Sequence, residues 1–149
     1  MKELTGSASG TTNASSEDCV ALLAAVDRYP SWHSDVVKEV EVLERDDQGR
    51  PTKARTKLHV QHGPITRDFD LTMEVKHHPP GAVRLSRVPH HAGDGEKFEV
   101  NWFVRETQPT QIQLDLAANL DVPRFLPLGG VGDSIADGFV SAATRELGS

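Results

Sequence analysis

Two arginines continue rows of side chains that should face a hydrophobic core. The stretch VQHGPITRDFDLTMEV, residues 60–75, alternates between apolar and polar side chains. Its apolar row consists of Phe69, Leu71, Met73 and Val75. Counting back by two residues places Arg67 in this row, and the same alternation places Arg87 in the row of Val83 and Leu85. A guanidinium there presents a rigid fork of donors, which suits a carboxylate, phosphate or enolate oxygen on an otherwise apolar ligand.

Both arginines also have a structural interpretation. Each could lie at a fraying strand end, where a long side chain reaches water, or could pair with a nearby Asp or Glu. The turns HGPI and HHAGDG place both of them at one end of the sheet. Counting from the turns puts Arg67 opposite Val60, and Arg87 between Leu71 and Val100. The sequence leaves the ligand-binding and the structural interpretation open.

Seven histidines raise the question of a metal site. Adjacent histidines in HHPP and PHHAG point to opposite faces of an extended chain, and neither pair has a carboxylate at metal-ligand spacing. We therefore expect no metal site and no cofactor. His62, His90 and His91 fall near Arg67 and are candidate proton donors or acceptors. The sequence contains no G-x-S-x-G, H-E-x-x-H or G-x-x-x-x-G-K motif.

Composition restricts the classes of function. The length of 149 residues fits one domain over residues 1–149. A net charge of −6 opposes binding to nucleic-acid phosphates or to an anionic membrane surface. No uncharged run approaches a membrane span, and the start lacks an apolar signal segment, so we expect a cytoplasmic protein without membrane insertion. Cys19 is the only cysteine, which rules out an internal disulfide.

The front of the chain predicts an edge strand and short helices. Residues 5–16 are rich in Ser, Thr and Gly and predict a weak edge strand. Two serines followed by two acidic residues, SSED, match the start of a helix. This helix should end near DRYPSWH, because Pro30 disfavours helical geometry at Tyr29. Tyr29 and Trp32 are expected to pack the helical segment against the sheet.

Beyond residue 36 the hydrophobic period changes to two, which predicts a meander of antiparallel strands. The first two strands are joined by a turn at 46–51, and later turns fall at HGPI, HHPPG, HAGDGE and ETQPT. The inward rows of the later strands are Val83, Leu85 and Arg87; Phe98, Val100, Trp102 and Val104; and Ile112, Leu114, Leu116 and Ala118. With the edge strand, the predicted sheet has about seven strands.

The end of the chain predicts one long amphipathic helix. Its apolar stripe consists of Ile135, Phe139, Ala142, Ala143 and Leu147. Residues 127–132 are rich in Gly and Pro and predict a bend or an irregular turn. Small side chains on a helix that covers a strongly curved sheet should leave unfilled volume, and such an interior tends to bind a ligand. The predicted fold class is α+β.

The order of these elements resembles the START-like, or SRPBCC, superfamily. The resemblance is carried by VDRYPSWHSDV, VEVLERDDQGRPTKARTKL, the strands DFDLTMEV and FEVNWFV, and LAANLDVPRFLPLGGVGD before the last helix. The chain is similar to the bacterial polyketide cyclase/dehydrase-like branch, with coenzyme Q-binding proteins as more distant relatives. The resemblance implies a helix-grip fold, with a curved sheet wrapped around the C-terminal helix, two short helices after the first strand, and a hydrophobic tunnel. It implies no single activity, because members carry lipids, bind quinones or hormones, or fold and dehydrate polyketide chains.

Three functions are compatible with these features. The leading hypothesis is binding or transport of a lipid-, polyketide- or quinone-like molecule, whose acidic or carbonyl end lies near Arg67, with Arg87 as a further candidate. The apolar contacts would come from Leu58, Phe69, Leu71, Leu85, Val100, Trp102, Leu114 and Phe139. The second hypothesis is a polyketide aromatase/cyclase that stabilises an enolate through Arg67 while a histidine or water transfers protons. The third is a protein-interaction module whose groove binds a peptide or helix; the sequence predicts no oligomeric state.

Overall fold

The computed structural model describes residues 2–62, 65–123 and 125–148, with only the backbone described at Ile65. Within these residues, seven antiparallel strands form one sheet. They are β1 (Lys2–Thr12), β2 (Val37–Arg45), β3 (Pro51–His62), β4 (Ile65–His78), β5 (Ala82–Arg87), β6 (Lys97–Arg105) and β7 (Thr110–Leu120). Their order across the sheet is β1-β7-β6-β5-β4-β3-β2. The predicted meander is therefore confirmed, and β1 closes it by pairing with β7.

The front helical segment consists of α1 (Ser16–Ala24), a 3₁₀ turn (Val26–Arg28) and α2 (Tyr29–Trp32). Ser15 caps α1, since its hydroxyl accepts a hydrogen bond of 3.1 Å from the Asp18 N–H. The prediction that Pro30 excludes Tyr29 from helical geometry is wrong, because Tyr29 has φ −54° and ψ −39° and begins α2. A proline in the first helical turn needs no N–H donor, so it starts this helix instead of ending one.

The last helix, α3 (Val131–Leu147), crosses the inner face of the sheet beside β1 and β7. Its backbone touches β1 where two glycines meet, and a Cβ on Gly6 would lie 2.0 Å from the carbonyl carbon of Gly132. The Ser7 N–H donates a 3.0 Å hydrogen bond to Asp133 Oδ1 at the same crossing. The approach of helix and strand at this point thus requires both glycines.

The predicted inward rows form the core. All members of the rows on β6 and β7 are buried except Val104, which is partly exposed. Arg67 pairs with Val60, as predicted. The predicted position of Arg87 is wrong, because it pairs with Met73, two residues from Leu71, while Val100 pairs with Leu85. The hairpin turn at 79–81 is centred one residue later than expected, which shifts the pairing by two residues.

One predicted turn cannot be compared directly with the structure. Residues 63 and 64 of HGPI lie outside the described residues. The flanking strands pair as far as His62 with Ile65, so β3 and β4 are adjacent and antiparallel up to this point. The predicted irregular segment, residues 127–132, is confirmed for 127–130, whereas Val131 and Gly132 already belong to α3.

Candidate functional site

A small apolar cavity lies between α3 and the inner face of the sheet. Its volume is about 40 Å³. The front segment and β2 contribute Val26, Tyr29, Val37 and Val40; strands β3 to β6 contribute Thr56, Leu58, Met73, Leu85, Phe98 and Val100; and α3 contributes Phe139. The Tyr29 hydroxyl donates to the Leu23 carbonyl at 2.5 Å, and the Thr56 hydroxyl donates to the Leu71 carbonyl at 3.1 Å. Both polar lining groups are therefore satisfied within the protein.

The helix that covers the sheet carries several small side chains on its buried face. Ala136, Ala142 and Ala143 are buried on α3 and project little volume toward the strands. Phe139 is the member of this stripe that reaches the cavity lining. Side chains from a strongly curved sheet converge on the helix without filling the space beneath Phe139.

The size of the cavity limits what it holds in this conformation. A buried water needs about 10–15 Å³ of such volume, so about 40 Å³ accommodates only a few atoms of a guest. A lipid, polyketide or quinone would require side chains of the lining, or α3 itself, to move. Met73 is the most adaptable lining side chain, because its unbranched thioether changes rotamer readily.

The predicted apolar contact residues divide into two groups. Leu58, Leu85, Val100 and Phe139 line the cavity. Phe69, Leu71, Trp102 and Leu114 are buried in the surrounding core and do not line it. Seven further residues line the cavity although the sequence pattern does not mark them as ligand contacts: Val26, Tyr29, Val37, Val40, Thr56, Met73 and Phe98. Alternation places Met73 and Phe98 on the inner face, but nothing in the pattern marks where along each strand the cavity falls.

Arg67 lies at the end of the sheet where β3 meets β4, and it is held by a carboxylate. Its Nη2 donates to both oxygens of Glu96, at 3.1 and 3.0 Å. Its guanidinium carbon lies 4.5 Å from the centre of the Phe69 ring, which is a cation–π distance. Its Nη1 is buried without a hydrogen-bond partner among the described residues. Arg67 is not among the residues that line the cavity.

Arg87 is more deeply buried and is also paired. Its side chain is 5% exposed and donates from Nη2 to Asp94 Oδ2 at 2.7 Å and from Nη1 to the Glu96 carbonyl at 2.8 Å. The hydrogen bond from Arg87, followed by that from the His90 N–H, holds the pKa of Asp94 well below its usual range. Arg87 too is absent from the cavity lining.

Glu96 connects these groups to the segment that leads into α3. Its Oε2 accepts a 2.7 Å hydrogen bond from the Asp121 N–H in addition to the bond from Arg67. Burial raises the pKa of Glu96, but the hydrogen bonds from Asp121 and Arg67 outweigh this effect, so the pKa falls below its ordinary value. We call Arg67, Arg87, Asp94 and Glu96 the arginine cluster; within it both arginines have structural partners.

The histidines that were candidate proton donors or acceptors do not line the cavity. His90 and His91 are exposed, and His62 is partly exposed. The buried histidine is His33, whose ring centre lies 4.4 Å from that of Phe139 and whose Nε2 has no partner among the described residues. Burial lowers the pKa of His33, so its ring is neutral near pH 7. The described residues contain no group of three or more His, Cys, Asp or Glu side chains that could hold a metal ion.

None of the helices in the described part of the chain combines the length and the apolar character needed to cross a bilayer.

Comparison with known proteins identifies the family. The sequence profile of the family described as "Polyketide cyclase / dehydrase and lipid transport" matches residues 12–145. This chain belongs to that family. Matching against curated proteins gave no relative.

Solved structures show the same fold at low sequence identity. A START superfamily protein from Mycobacterium smegmatis has 19% identity and a TM-score of 0.75, with 96% of each chain covered. A conserved protein from Geobacillus kaustophilus has 17% identity and a TM-score of 0.69, covering 97% of this chain and 95% of that one. The di-domain ARO/CYC StfQ from the steffimycin biosynthetic pathway has 14% identity and a TM-score of 0.62, and this chain matches 50% of its length. The predicted START-like helix-grip fold is therefore confirmed.

Proposed function

We propose that this protein binds a small hydrophobic molecule between α3 and the inner face of the sheet. The observation that carries the proposal is the apolar cavity, in which the hydroxyls of Tyr29 and Thr56 are already hydrogen-bonded to the protein. Such a lining favours a hydrocarbon or aromatic body and disfavours a charged group at its centre. Membership in a family described as including lipid transport supports the same function.

The polar end of a lipid-, polyketide- or quinone-like molecule is proposed to lie near Arg67, with Arg87 behind it. Phe98 lines the cavity and its ring centre lies 5.8 Å from that of Phe69, on which the Arg67 guanidinium stacks. An acceptor oxygen that reached Arg67 would satisfy its buried, unpartnered Nη1. The proposed apolar contacts remain Leu58, Phe69, Leu71, Leu85, Val100, Trp102, Leu114 and Phe139. Four of these residues, Phe69, Leu71, Trp102 and Leu114, do not line the cavity and would contact the ligand only when the cavity expands.

The aromatase/cyclase hypothesis has less support. Among the described lining residues, Tyr29 has the only titratable side chain. Burial raises the pKa of Tyr29 far above its ordinary value, and its proton is engaged by the Leu23 carbonyl. A group in this state is a poor general acid or base near pH 7. Binding is therefore the function that the geometry supports best.

The test is a titration with N-phenyl-1-naphthylamine, a neutral apolar fluorophore, on two variants of the same strand. Val40→Phe fills the cavity from the partly buried side of β2, whereas Leu43→Phe adds comparable apolar volume at an exposed position. We expect saturable binding to the unmodified protein. Val40→Phe should lose at least about tenfold in affinity, because the larger side chain occupies the cavity and removes the buried apolar contacts of the fluorophore. Leu43→Phe should bind with unchanged affinity.

Thermal denaturation of both variants verifies that each is folded at the titration temperature. Equal affinity of the two variants, or no saturable binding by the unmodified protein, would contradict the proposal. Native mass spectrometry of the protein purified from cells then tests the ligand class, and we expect a co-purifying apolar molecule that is absent from Val40→Phe.

A further inference from the structure

A second concave surface lies outside the interior cavity. It is a groove of about 680 Å³ beside α1, bounded by the 3₁₀ turn, the β2–β3 hairpin and the β4–β5 turn. This volume falls within the range of about 300–1,000 Å³ that is typical of small-molecule sites. No residue of the groove lining also lines the interior cavity. The two spaces are therefore separable by substitution.

One wall of the groove is apolar and has a helical origin. Val20, Ala21, Ala24 and Ala25 line it from α1 and the residue that follows. Residues four apart lie on one face of a helix, so Val20 with Ala24 and Ala21 with Ala25 form a continuous strip of small side chains. At the 3₁₀ turn the chain divides the two spaces, because Val26 faces the interior cavity while its neighbours Ala25 and Asp27 line the groove.

The facing wall carries Arg45 and Arg50, and Arg50 is held in place by two contacts. Arg50 donates from Nε to Asp46 Oδ2 at 2.8 Å, and its Nη1 lies 2.8 Å from His77 Nδ1. Arginine has donors only, so His77 Nδ1 must be the acceptor and its ring proton must be on Nε2. The Nη2 of Arg50 makes no hydrogen bond to the described residues and is available to a ligand.

The guanidinium donors of the groove favour an acidic group. Arg28, Arg45 and Arg50 line the groove with Glu17 and Asp27, and Asp46 pairs with Arg50, so three cations and three carboxylates balance on a chain whose net charge is −6. Asp27 lies 3.8 Å from Arg45, beyond hydrogen-bond distance, so this partner compensates Arg45 only weakly. A locally neutral region with unoccupied guanidinium donors repels a negatively charged ligand less than the rest of this acidic protein does.

We propose that this groove is a second binding site that takes a small anionic amphiphile, with the apolar body along α1 and the acidic group at Arg45 and Arg50. The apolar strip and the arginines face one another across a single space, which is the arrangement that such a molecule requires. The proposal does not depend on occupation of the interior cavity.

The proposal can be tested by isothermal titration calorimetry with decanoate. Decanol, an uncharged molecule of equal chain length, serves as the comparison ligand. We expect decanoate to bind and decanol to bind at least about tenfold more weakly at this site, since the difference is a contact with two guanidinium groups. The Arg45→Gln/Arg50→Gln double variant should lose at least about tenfold in decanoate affinity. Arg55→Gln/Arg84→Gln, which removes two exposed arginines on β3 and β5, is the charge-matched control and should bind as before.

A blocking variant keeps the test valid if the double variant is unstable. Ala21→Trp fills the groove from an exposed helix position, and Ala117→Trp adds the same ring at an exposed position on β7. Decanoate binding should be lost in the first variant and retained in the second and in Val40→Phe. The proposal is overturned if the unmodified protein does not bind decanoate, if Ala21→Trp binds it normally, or if Val40→Phe abolishes binding. The last result would assign the anion to the interior cavity and leave the apolar-ligand proposal intact.

Discussion

Ion pairs of nearly equal length occupy very different environments on the two faces of the sheet. Arg87 and Asp94, at the inner end, are 5% and 10% exposed and lie 2.7 Å apart. Arg55 and Asp70, on the outer face, are 50% and 48% exposed and lie 2.6 Å apart. Water screens the outer pair, whereas an unpaired charge at the inner site would remain buried. The contribution of these ion pairs to stability therefore depends on their exposure to solvent more than on the distance between their charged atoms.

The two groups of pairs also connect different parts of the chain. Arg55 and Asp70 bridge β3 and β4, which the backbone already holds together by hydrogen bonds. The arginine cluster instead ties the 88–96 loop to β4 and, through Glu96, to the Asp121 N–H before α3. The inner pairs thus contribute tertiary contacts that no backbone ladder replaces.

Removing Arg87 should have the largest effect. Arg87→Ala leaves Asp94 and the Glu96 carbonyl without their donor, and we expect a loss of about 3 kcal/mol in the free energy of unfolding. Urea denaturation measures this loss. Arg84→Ala, on the same strand but with an exposed pair to Glu99, is the matched control and should change stability far less. Equal losses in the two variants would remove the distinction between inner and outer pairs.

Acidification should weaken the inner pairs next. The pKa values of Asp94 and Glu96 are lower in the folded protein than their ordinary values of 3.8 and 4.5. Their stabilisation is therefore complete above those ordinary values and is lost as the pH falls below about 4 toward the folded pKa values. His33, whose pKa burial lowers from 6.5, adds a loss that begins below pH 6.5.

Denaturation curves at several pH values separate these contributions. Arg87→Ala should lose less stability than the unmodified protein between pH 5 and pH 3, because Asp94 no longer has its cation. The His33 contribution should persist in both proteins. Parallel pH profiles below pH 5 would show that the Arg87 pair contributes nothing to acid sensitivity.

Glu96→Gln should have an intermediate effect. The amide keeps the shape of the side chain but removes the charge that accepts from Arg67 and Asp121, so we expect a loss on the order of 1–2 kcal/mol. If a guest reaches the interior cavity from this end, stopped-flow mixing should also show faster uptake of N-phenyl-1-naphthylamine. An unchanged rate with reduced stability would place the route of access elsewhere.

Arg55→Gln should have the smallest effect. Its hydrogen bonds to Asp70 lower the pKa of that carboxyl, yet both side chains lie in solvent on a face already joined by backbone pairing. We expect the thermal midpoint to stay within experimental error and to be insensitive to added salt. A shift as large as that of Arg87→Ala would mean that exposure does not separate the two faces.

Three residues show how much of the site could be predicted from the alternation of apolar and polar residues. Arg67 lies opposite Val60 as predicted, because alternation is strict across this hairpin. The predicted partner of Arg87 is wrong by two residues, because the β4–β5 turn is centred one residue later than expected and this changes every pair between the two strands. Glu96 was not anticipated as the partner of Arg67, since 29 residues separate them and no local period links a loop to a strand.

The sequence by itself determined the order of the strands, the face on which each side chain lies and the final amphipathic helix, because those properties follow from local periodicity. The tertiary structure alone decided which inward residues surround the cavity, that the cavity is only about 40 Å³, and that both arginines are paired. Those properties depend on how closely α3 approaches the sheet at Gly6 and Gly132 and on how the 88–96 loop folds back. Such distances are set by packing between segments remote in the chain, which no local pattern encodes.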